Sequence, residues 1–199
     1  MKVLFIGGSG LISSACTELA AARGIDMCLL NRGRTHNAEL PAGVEVITAD
    51  IHDRAAAEAA LAGRRFDVVV DWIAFTPDHV QRDIELFAGK VRQYIFISSA
   101  SAYQKPVLDY RITESTPLVN PHWQYSREKA ACEDLLMQEH RKSGFPFTVV
   151  RPSLTYGPTR SNPEGADRRK GKFMFRKDLI DAARVYALTA AAICAERNQ

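Results

Sequence analysis

The chain has 199 residues, of which 46% are hydrophobic and 25% are charged. This is the composition of one folded globular domain, with or without an appendage, and it excludes disorder throughout, a collagen-like fibre and a small disulfide-held scaffold. The longest nearly apolar run, residues 185–195, has 11 residues, whereas a membrane-spanning helix needs about 20. The four apolar residues after Lys2 are too few for the core of a secretory signal. We therefore expect a cytoplasmic protein without a membrane partner.

The net charge of +3 is unevenly distributed. Residues 1–159 hold 17 basic and 18 acidic residues, whereas residues 160–199 hold nine basic and five acidic ones. Six of the basic residues fall within residues 168–177. We interpret this window as a solvated loop; a contact with a polyanion, either a substrate phosphate or a nucleic acid, is the less favoured alternative.

The four cysteines and five histidines form no pattern of metal ligands. No C-x-x-C pair occurs and the histidines stand alone, so we predict no metal site. Cysteines this far apart are expected to be small buried side chains in a reducing compartment. They are Cys16, Cys28, Cys132 and Cys194.

Short apolar runs alternate with longer helical stretches along the first three quarters of the chain. Strands are predicted at residues 3–6, 27–30, 44–48, 67–70, 94–97 and 147–150. Helices are predicted at residues 11–23, 54–61, 77–87 and 123–142, and a long loop at residues 104–121. Because the strands are continuous apolar runs, both faces of their sheet must be covered. The fold class is therefore predicted to be α/β, with a doubly wound parallel sheet.

A glycine-rich turn, residues 7–13, joins the first strand to the first helix. The pyrophosphate of a dinucleotide needs close approach of the backbone at such a turn, and the helix N-terminus supplies N–H donors and a positive dipole end. The alternative is a plain strand-to-helix connection. The predicted cofactor-binding residues in the turn are Gly7, Ser9, Gly10, Leu11 and Ile12.

Tyr125 and Lys129 lie four positions apart in the helix predicted at residues 123–142. This spacing puts both side chains on one helix face. An ammonium group beside a phenol stabilises the phenolate and lowers the phenol pKa, so Tyr125 is predicted to act as a general acid or base near neutral pH. The alternative is an amphipathic pair on the helix surface.

Taken in order, these segments resemble the extended short-chain dehydrogenases/reductases, in particular the NAD-dependent epimerase/dehydratase family. Ser13 departs from the family turn, which has a third glycine at that position. The resemblance covers roughly residues 1–158 and implies a Rossmann-type sheet with strand order 3-2-1-4-5-6. It rests on residues 7–13, on Ser98-Ser99 followed by Tyr103, on Tyr125 with Lys129, and on the Arg-Pro-x-x-x-Tyr-Gly-Pro segment at residues 151–158.

The resemblance also implies roles for the catalytic residues. Tyr125 passes a proton to or from a substrate hydroxyl, and Lys129 holds the nicotinamide ribose and tunes Tyr125. Ser99 polarises the reacting carbonyl group, with Ser98 as the alternative.

The end of the second strand indicates which cofactor is preferred. An acidic residue there would bind the ribose 2′-hydroxyl of NAD, but the chain has Asn31 and Arg32, with Arg34 two positions on. Because arginine can pair with a 2′-phosphate, NADP is favoured and NAD is the second choice; alternatively, the arginines cover the sheet edge. By resemblance, Asp50 and Ile51 lie beside the adenine.

Ser99 is followed by Ala100 and Ser101, where dehydratases of the family typically carry an acidic pair. This favours an NAD(P)-dependent epimerase or reductase that acts on a sugar nucleotide or another carbonyl or hydroxyl substrate. The alternative is a nicotinamide-nucleotide-binding sensor or an RNA-associated protein with little or no turnover.

The same resemblance predicts a homodimer, since relatives commonly pair through the helix that carries the Tyr-x-x-x-Lys pattern. In this chain the helix has more apolar surface than one contact with the sheet requires. The residues concerned are Ala130, Leu135, Leu136 and Met137.

Residues 1–158 are interpreted as an NAD(P)-binding domain. Residues 159–199 are interpreted as a basic loop followed by an alanine-rich helix at residues 178–196. Relatives continue through a smaller C-terminal domain that grips the substrate. The resemblance therefore implies that this chain lacks most of that domain and that residues 159–199 are its remnant or replacement.

Overall fold

The computed structural model describes residues 1–33 and 40–153. These residues form one six-stranded sheet, with all neighbouring strands parallel, in the order β3-β2-β1-β4-β5-β6. The predicted fold class and strand order are confirmed. Arg34 and the helix predicted at residues 178–196 lie outside the described residues.

The observed elements match the predicted ones to within a few residues at each end. The strands are β1 (Lys2–Ile6), β2 (Asp26–Asn31), β3 (Glu45–Thr48), β4 (Val68–Asp71), β5 (Gln93–Ile97) and β6 (Phe147–Val150). The helices are α1 (Leu11–Ala22), α2 (Arg54–Leu61), α3 (Pro77–Phe87) and α4 (Gln124–Ser143), and a single 3-10 turn spans Ala100–Ala102.

The strands bury both of their faces, which explains their continuous apolar sequences. Side chains along a strand alternate between the two faces of the sheet. Leu4 and Phe96 accordingly contribute to one hydrophobic cluster, together with residues of α2, α3 and α4. Phe5 and Ile97 contribute to a second cluster, together with residues of α1.

Helix α4 is the longest helix among the described residues and ends at Gly144, whose φ of +74° suits glycine. Basic residues in its last turn complement the negative end of the helix dipole. Leu136 is fully buried in the core of its own chain, whereas Met137 is exposed. The apolar surface of α4 that is free for a partner is therefore smaller than the sequence suggested.

A buried ion-pair network holds the carboxyl end of β4 against α3. Arg82 donates to Asp83 Oδ1 through Nε at 2.9 Å and Nη2 at 2.6 Å, and to Asp71 Oδ2 through Nη2 at 3.3 Å. The hydroxyl of Tyr94 donates to Asp83 Oδ2 at 2.7 Å. Both carboxylates are inaccessible to solvent. Burial, followed by the neighbouring Asp71 carboxylate, raises the pKa of Asp83 well above its usual range.

Replacing Arg82 with methionine removes the cation that these two carboxylates share. We expect Arg82→Met to lower the free energy of unfolding by about 3–5 kcal/mol, the usual cost of leaving one member of a buried pair alone. Arg82 acts to lower the pKa of Asp83 against the effect of burial, so without Arg82 this pKa lies still further above the unfolded value of about 4. The loss of unfolding free energy in Arg82→Met should therefore be greatest at pH values above the folded-state pKa of the carboxyl group. It should become smaller as the pH falls toward 4.

Urea denaturation at about pH 5 and pH 8 measures both the loss and its pH dependence. The matched control is Arg54→Met, because Arg54 is an exposed arginine that also contacts two carboxylates, Glu58 and Glu85. The control should leave the free energy of unfolding almost unchanged. Equal losses in the two variants would contradict the importance of the Arg82 network.

Candidate active site

The glycine-rich turn is closed by a side chain from the first turn of α1. Ser13 Oγ donates to the carbonyl oxygen of Gly7 at 2.8 Å and accepts the backbone N–H of Gly10 at 2.7 Å. Thr17 Oγ1 donates to the carbonyl oxygen of Gly8 at 2.9 Å. The serine that replaces the family's third glycine therefore fixes the shape of the turn from inside.

Two glycines of the turn meet a steric requirement. Gly7 has a φ of +80°, a conformation that L side chains rarely adopt. A Cβ atom at Gly8 would lie 2.4 Å from Cδ2 of the fully buried Leu29 and 3.2 Å from Cβ of Phe5. Glycine at these two positions therefore lets the turn pack closely against Ile73 and Leu29. The turn leads into α1, where the first N–H groups of a helix have no carbonyl partner within the helix.

The residues predicted to contact the adenosine half of the dinucleotide lie at the ends of β2 and β3. Asn31 ends β2, and its carbonyl oxygen accepts the N–H of Ala49 at 3.1 Å, just beyond β3. Asp50 Oδ1 accepts the N–H of His52 at 3.0 Å. Ile51 is buried, and Arg32 is exposed. Asn31 and Asp50 thus share one edge of the sheet.

A cavity of about 300 Å³ joins the glycine-rich turn to the predicted catalytic residues. Three of the five predicted turn residues line it: Gly7, Gly10 and Ile12. The opposite wall includes Ser99, Tyr125 and Lys129. The structure therefore brings all three predicted catalytic residues to one space beside the turn, while the predicted adenosine-half residues lie outside it.

Lys129 is almost wholly buried, with 1% of its surface exposed. Its Nζ donates to the carbonyl oxygens of Ala74 at 2.6 Å and Ile97 at 2.7 Å. The ring centroids of Phe96 and Phe75 lie 4.7 Å and 4.9 Å from this nitrogen. Burial lowers the pKa of Lys129 to about 8, because removal from water penalises the charged amine.

Tyr125 is half-buried and belongs to a small aromatic group. Its ring centroid lies 4.9 Å from that of Trp123 and 6.3 Å from that of Phe75. Burial raises the pKa of Tyr125, and a hydrogen bond from Ser99 acts in the opposite direction. Lys129 Nζ lies 5.7 Å from the centroid of the Tyr125 ring, and the expectation that its charge lowers the pKa of Tyr125 stays a prediction.

The two strand-end serines differ in their surroundings. Ser98 also lines the cavity, but its Oγ donates to Glu133 Oε1 at 2.5 Å. Arg151 also binds this carboxylate, through Nε at 3.0 Å and 3.1 Å and through Nη2 at 2.5 Å. Ser99, whose hydroxyl is not engaged by Glu133, faces the cavity beside Tyr125.

Glu133 was missed by the sequence analysis, although its position gave a usable signal. It lies four residues after Lys129, as Lys129 lies four residues after Tyr125. Side chains at this spacing share one helix face. The carboxylate of Glu133 ties α4 to the ends of β5 and β6 through Ser98 and Arg151.

Trp72 provides a test of whether the cavity suits a polar ligand. Its Nε1 is buried and has no hydrogen-bond partner among the described residues. The side chain lines the same cavity, with its ring packed edge-on against Phe5 at 5.4 Å between centroids. A buried donor without an acceptor is costly. Together with the glycine-rich turn, this indole N–H fits a ligand that carries acceptor oxygens, as the implied dinucleotide does.

Among the described residues, no three side chains of His, Cys, Asp and Glu gather as metal ligands would. No helix in the same part of the chain is long and apolar enough to cross a membrane.

A sequence profile of the NAD dependent epimerase/dehydratase family matches residues 3–179, most of the chain. The chain belongs to this family. A UDP-glucose 4-epimerase of Lactobacillus helveticus is 26% identical over 185 residues, which are 84% of this chain and 56% of the relative. The chain therefore spans just over half the length of this curated relative.

Solved structures of the family share the fold. The Thermus thermophilus UDP-glucose 4-epimerase in complex with NAD has a TM-score of 0.69 and 25% identity, covering 81% of this chain and 58% of that one. The Thermotoga maritima UDP-glucose 4-epimerase with UDP-glucose has a TM-score of 0.68 and 21% identity, covering 79% and 57%. The Bacillus anthracis dTDP-glucose 4,6-dehydratase in complex with NAD has a TM-score of 0.67 and 21% identity, covering 79% and 56%.

The burial of Lys129 predicts a measurable dependence of stability on pH. Its folded-state pKa of about 8 lies below the unfolded value of about 10.4. Between these values the unfolded chain holds more protons than the folded one, so the free energy of unfolding rises with pH. From about pH 8 to pH 10.4 the wild type should gain about 3 kcal/mol relative to Lys129→Met, since each pKa unit corresponds to about 1.4 kcal/mol.

Urea denaturation of both proteins at several pH values across this range measures the gain. Lys142→Met is the control, since the Lys142 side chain is 79% exposed. The difference between wild type and Lys142→Met should stay constant across the range. A constant difference between wild type and Lys129→Met as well would show that Lys129 is better hydrated than the structure indicates.

Proposed function

We propose that the chain binds a nicotinamide dinucleotide through the glycine-rich turn, with NADP favoured over NAD. The glycines of the turn that line the cavity, the start of α1 and the unpartnered Nε1 of Trp72 support a dinucleotide at this edge of the sheet. Asn31 at the end of β2 and the exposed Arg32 support NADP. The Thermus thermophilus relative was solved with NAD, which keeps NAD as the second choice. We propose residues 1–158 as the domain that holds the cofactor.

For the reaction, we propose an epimerase or a reductase that acts on a carbonyl or hydroxyl substrate. The observation that carries this proposal is the meeting of Ser99, Tyr125 and Lys129 around one cavity beside the turn. Together they supply a group for proton transfer, a hydroxyl donor for the substrate oxygen and an amine for the cofactor ribose, the roles that the family resemblance implies. Related enzymes solved with UDP-glucose or with UDP support a sugar nucleotide as the substrate.

In the proposed mechanism, the Tyr125 phenol gives a proton to the substrate oxygen or takes one from it. When bound, the nicotinamide supplies the hydride acceptor and donor. Ser99 donates a hydrogen bond to the same substrate oxygen and stabilises the negative charge that develops there. Lys129 binds the ribose hydroxyls of the cofactor and opposes the charge of the phenolate.

The electrostatics of the site agree with an acid that is held neutral. Burial raises the pKa of Tyr125, so the phenol keeps its proton at neutral pH. The Lys129 amine, with a pKa of about 8, lies close to its own titration point. A ligand that draws this amine away from the carbonyl groups of Ala74 and Ile97 would bring positive charge to the phenol and favour its ionisation.

A nicotinamide-nucleotide-binding sensor or an RNA-associated protein with little turnover is the second candidate. The observation that favours it is the group of six basic residues within residues 168–177, which a polyanion could contact. Turnover of a sugar nucleotide separates it from the first candidate. A homodimer through α4 stays a proposal, with Met137 as its exposed apolar residue.

Cofactor binding should raise the melting temperature, since a ligand that binds only the folded state stabilises it. At a hundredfold excess over its dissociation constant, a dinucleotide should raise the melting temperature by about 5 °C or more. NADP should bind more tightly than NAD, and Arg32→Asp should weaken NADP more than NAD because it removes the partner of the 2′-phosphate. Thermal-shift titrations with both cofactors measure these effects.

The control for this test is Arg65→Asp, at an exposed arginine just before β4 and so at the opposite edge of the sheet. It should change neither affinity. No thermal shift with either cofactor would refute cofactor binding, and equal weakening of both cofactors by Arg32→Asp would refute the 2′-phosphate contact alone.

Tyr125→Phe should abolish turnover of a UDP-sugar while leaving cofactor affinity nearly intact. The phenolic proton is needed for the reaction, whereas the ring keeps its packing against Trp123. We expect at least a hundredfold loss of kcat, within the range usual for a general acid–base. Steady-state kinetics give kcat, and a thermal-shift titration gives the affinity. Turnover close to wild type would assign the proton transfer to another group.

A further inference from the structure

A line of hydroxyl groups leads from the interior of the protein to Ser99. Ser126 Oγ lies 2.9 Å from Ser101 Oγ, and Ser101 Oγ lies 2.9 Å from Ser99 Oγ. Asn120 Nδ2 lies 3.4 Å from Ser126 Oγ and donates to the carbonyl oxygen of Ser101 at 2.7 Å. Ser126 is 1% exposed, so its hydroxyl depends on protein partners. The mechanism proposed above uses Ser99 alone of these groups.

The direction of the hydrogen bonds along this line is fixed at its inner end. Asn120 Oδ1 accepts the backbone N–H of His122 at 3.1 Å, which leaves Nδ2 as the donor toward Ser126. Ser126 Oγ in turn donates to Ser101 Oγ. Because Ser101 Oγ already accepts this hydrogen, its own hydrogen is available for Ser99 Oγ.

At the outer end, Ser99 Oγ is surrounded by donors. It accepts the backbone N–H of Ser101 at 3.1 Å and lies within bonding distance of the Ser101 hydroxyl. A hydroxyl oxygen accepts two hydrogen bonds and donates one. When Ser101 is the donor, both acceptor positions of Ser99 Oγ are filled and its hydrogen is left for the cavity that Ser99 and Tyr125 line together. A hydrogen bond from Ser99 acts to lower the pKa of Tyr125, against the effect of burial.

We propose that Ser101 and Ser126 are positioning residues that keep the Ser99 hydroxyl oriented as a hydrogen-bond donor toward the oxygen of Tyr125 and toward the substrate oxygen. For the substrate oxygen, this inference rests on the proposed function. Hydroxyl groups in a chain polarise one another, so the last donor in the chain is stronger than an isolated serine. No covalent step is involved, since the two residues act only through the orientation of Ser99.

The structure allows this role to be separated from a role in folding. Ser99 caps the 3-10 turn through the backbone N–H of Ser101, and this contact survives in Ser101→Ala. The variant therefore removes only the hydroxyl of Ser101. Ser115→Ala is the matched control, because it removes a hydroxyl that is paired at 2.9 Å with Thr113 Oγ1 in the same loop region.

The first measurement needs neither cofactor nor turnover. The full chain, carrying carbon-13 at the Cζ atom of each of its six tyrosines, is titrated by NMR, and Tyr125→Phe assigns the resonance of Tyr125. The titration gives the ionisation constant of the phenol. A donor from Ser99 favours the phenolate, so Ser101→Ala and Ser126→Ala should each reduce this constant roughly three- to tenfold, the effect of one neutral hydrogen bond. Ser101→Thr, which keeps a hydroxyl, should restore it, and Ser115→Ala should leave it unchanged.

The double variant Ser101→Ala/Ser126→Ala tests the order of the chain. Because Ser126 acts through Ser101, the double variant should match Ser101→Ala and not the product of the two single effects. In turnover of a UDP-sugar, kcat should fall by the same three- to tenfold factor, with KM within about twofold of wild type, because the donor acts on the developing charge.

An unchanged ionisation constant in Ser101→Ala overturns the inference, and so do independent, multiplicative effects in the double variant. If the wild type does not turn over any sugar nucleotide, the proposed function fails, while the NMR titration still decides whether Ser101 and Ser126 orient Ser99. If the titration responds as expected but kcat does not, the donor serves Tyr125 and not the substrate oxygen, which overturns the second half of the inference.

Discussion

The Nζ atom of Lys129 connects three elements of the fold. It projects from α4 and donates to the carbonyl oxygen of Ile97, at the end of β5, and to that of Ala74, in the loop after β4. Burying an amine here costs free energy, which the lowered pKa of about 8 records. An apolar side chain of similar volume would often hold the same elements together at no greater cost. The presence of lysine at this place is therefore better explained by chemistry at the cavity than by stability.

The state of Tyr125 depends mainly on burial. Burial raises the pKa of the phenol, while the Lys129 nitrogen is held by two carbonyl groups. The group that acts against burial is Ser99. The site thus holds a neutral phenol, a hydroxyl group beside it and a buried amine bound to two carbonyl groups.

Local sequence patterns were sufficient for the strands and for the position of Tyr125 and Lys129 on one helix face, whereas the strand order followed from the family resemblance. Continuous apolar runs and a spacing of four residues are local patterns, and both survive folding unchanged. The pKa directions were not predictable in the same way, because they depend on contacts between distant parts of the chain. Lys129 meets a carbonyl group 55 positions away, at Ala74. Glu133, in contrast, continues the four-residue spacing and could have been found.

The buried charges of the core are linked to this site by a continuous series of contacts. Arg82 donates to Asp71, and Asp71 Oδ1 accepts the N–H of Ala74 at 2.8 Å, in the same residue whose carbonyl oxygen binds Lys129. The Asp71 charge also raises the pKa of Lys129, against the effect of burial. Negative and positive groups thus alternate from α3 through the loop after β4 to α4. A change at Arg82 would therefore reach the amine through two routes, the position of the Ala74 carbonyl group and the field of Asp71. Arg82 and Asp71 therefore belong to the structural support of the site, because they hold the loop whose Ala74 carbonyl group binds the Lys129 amine.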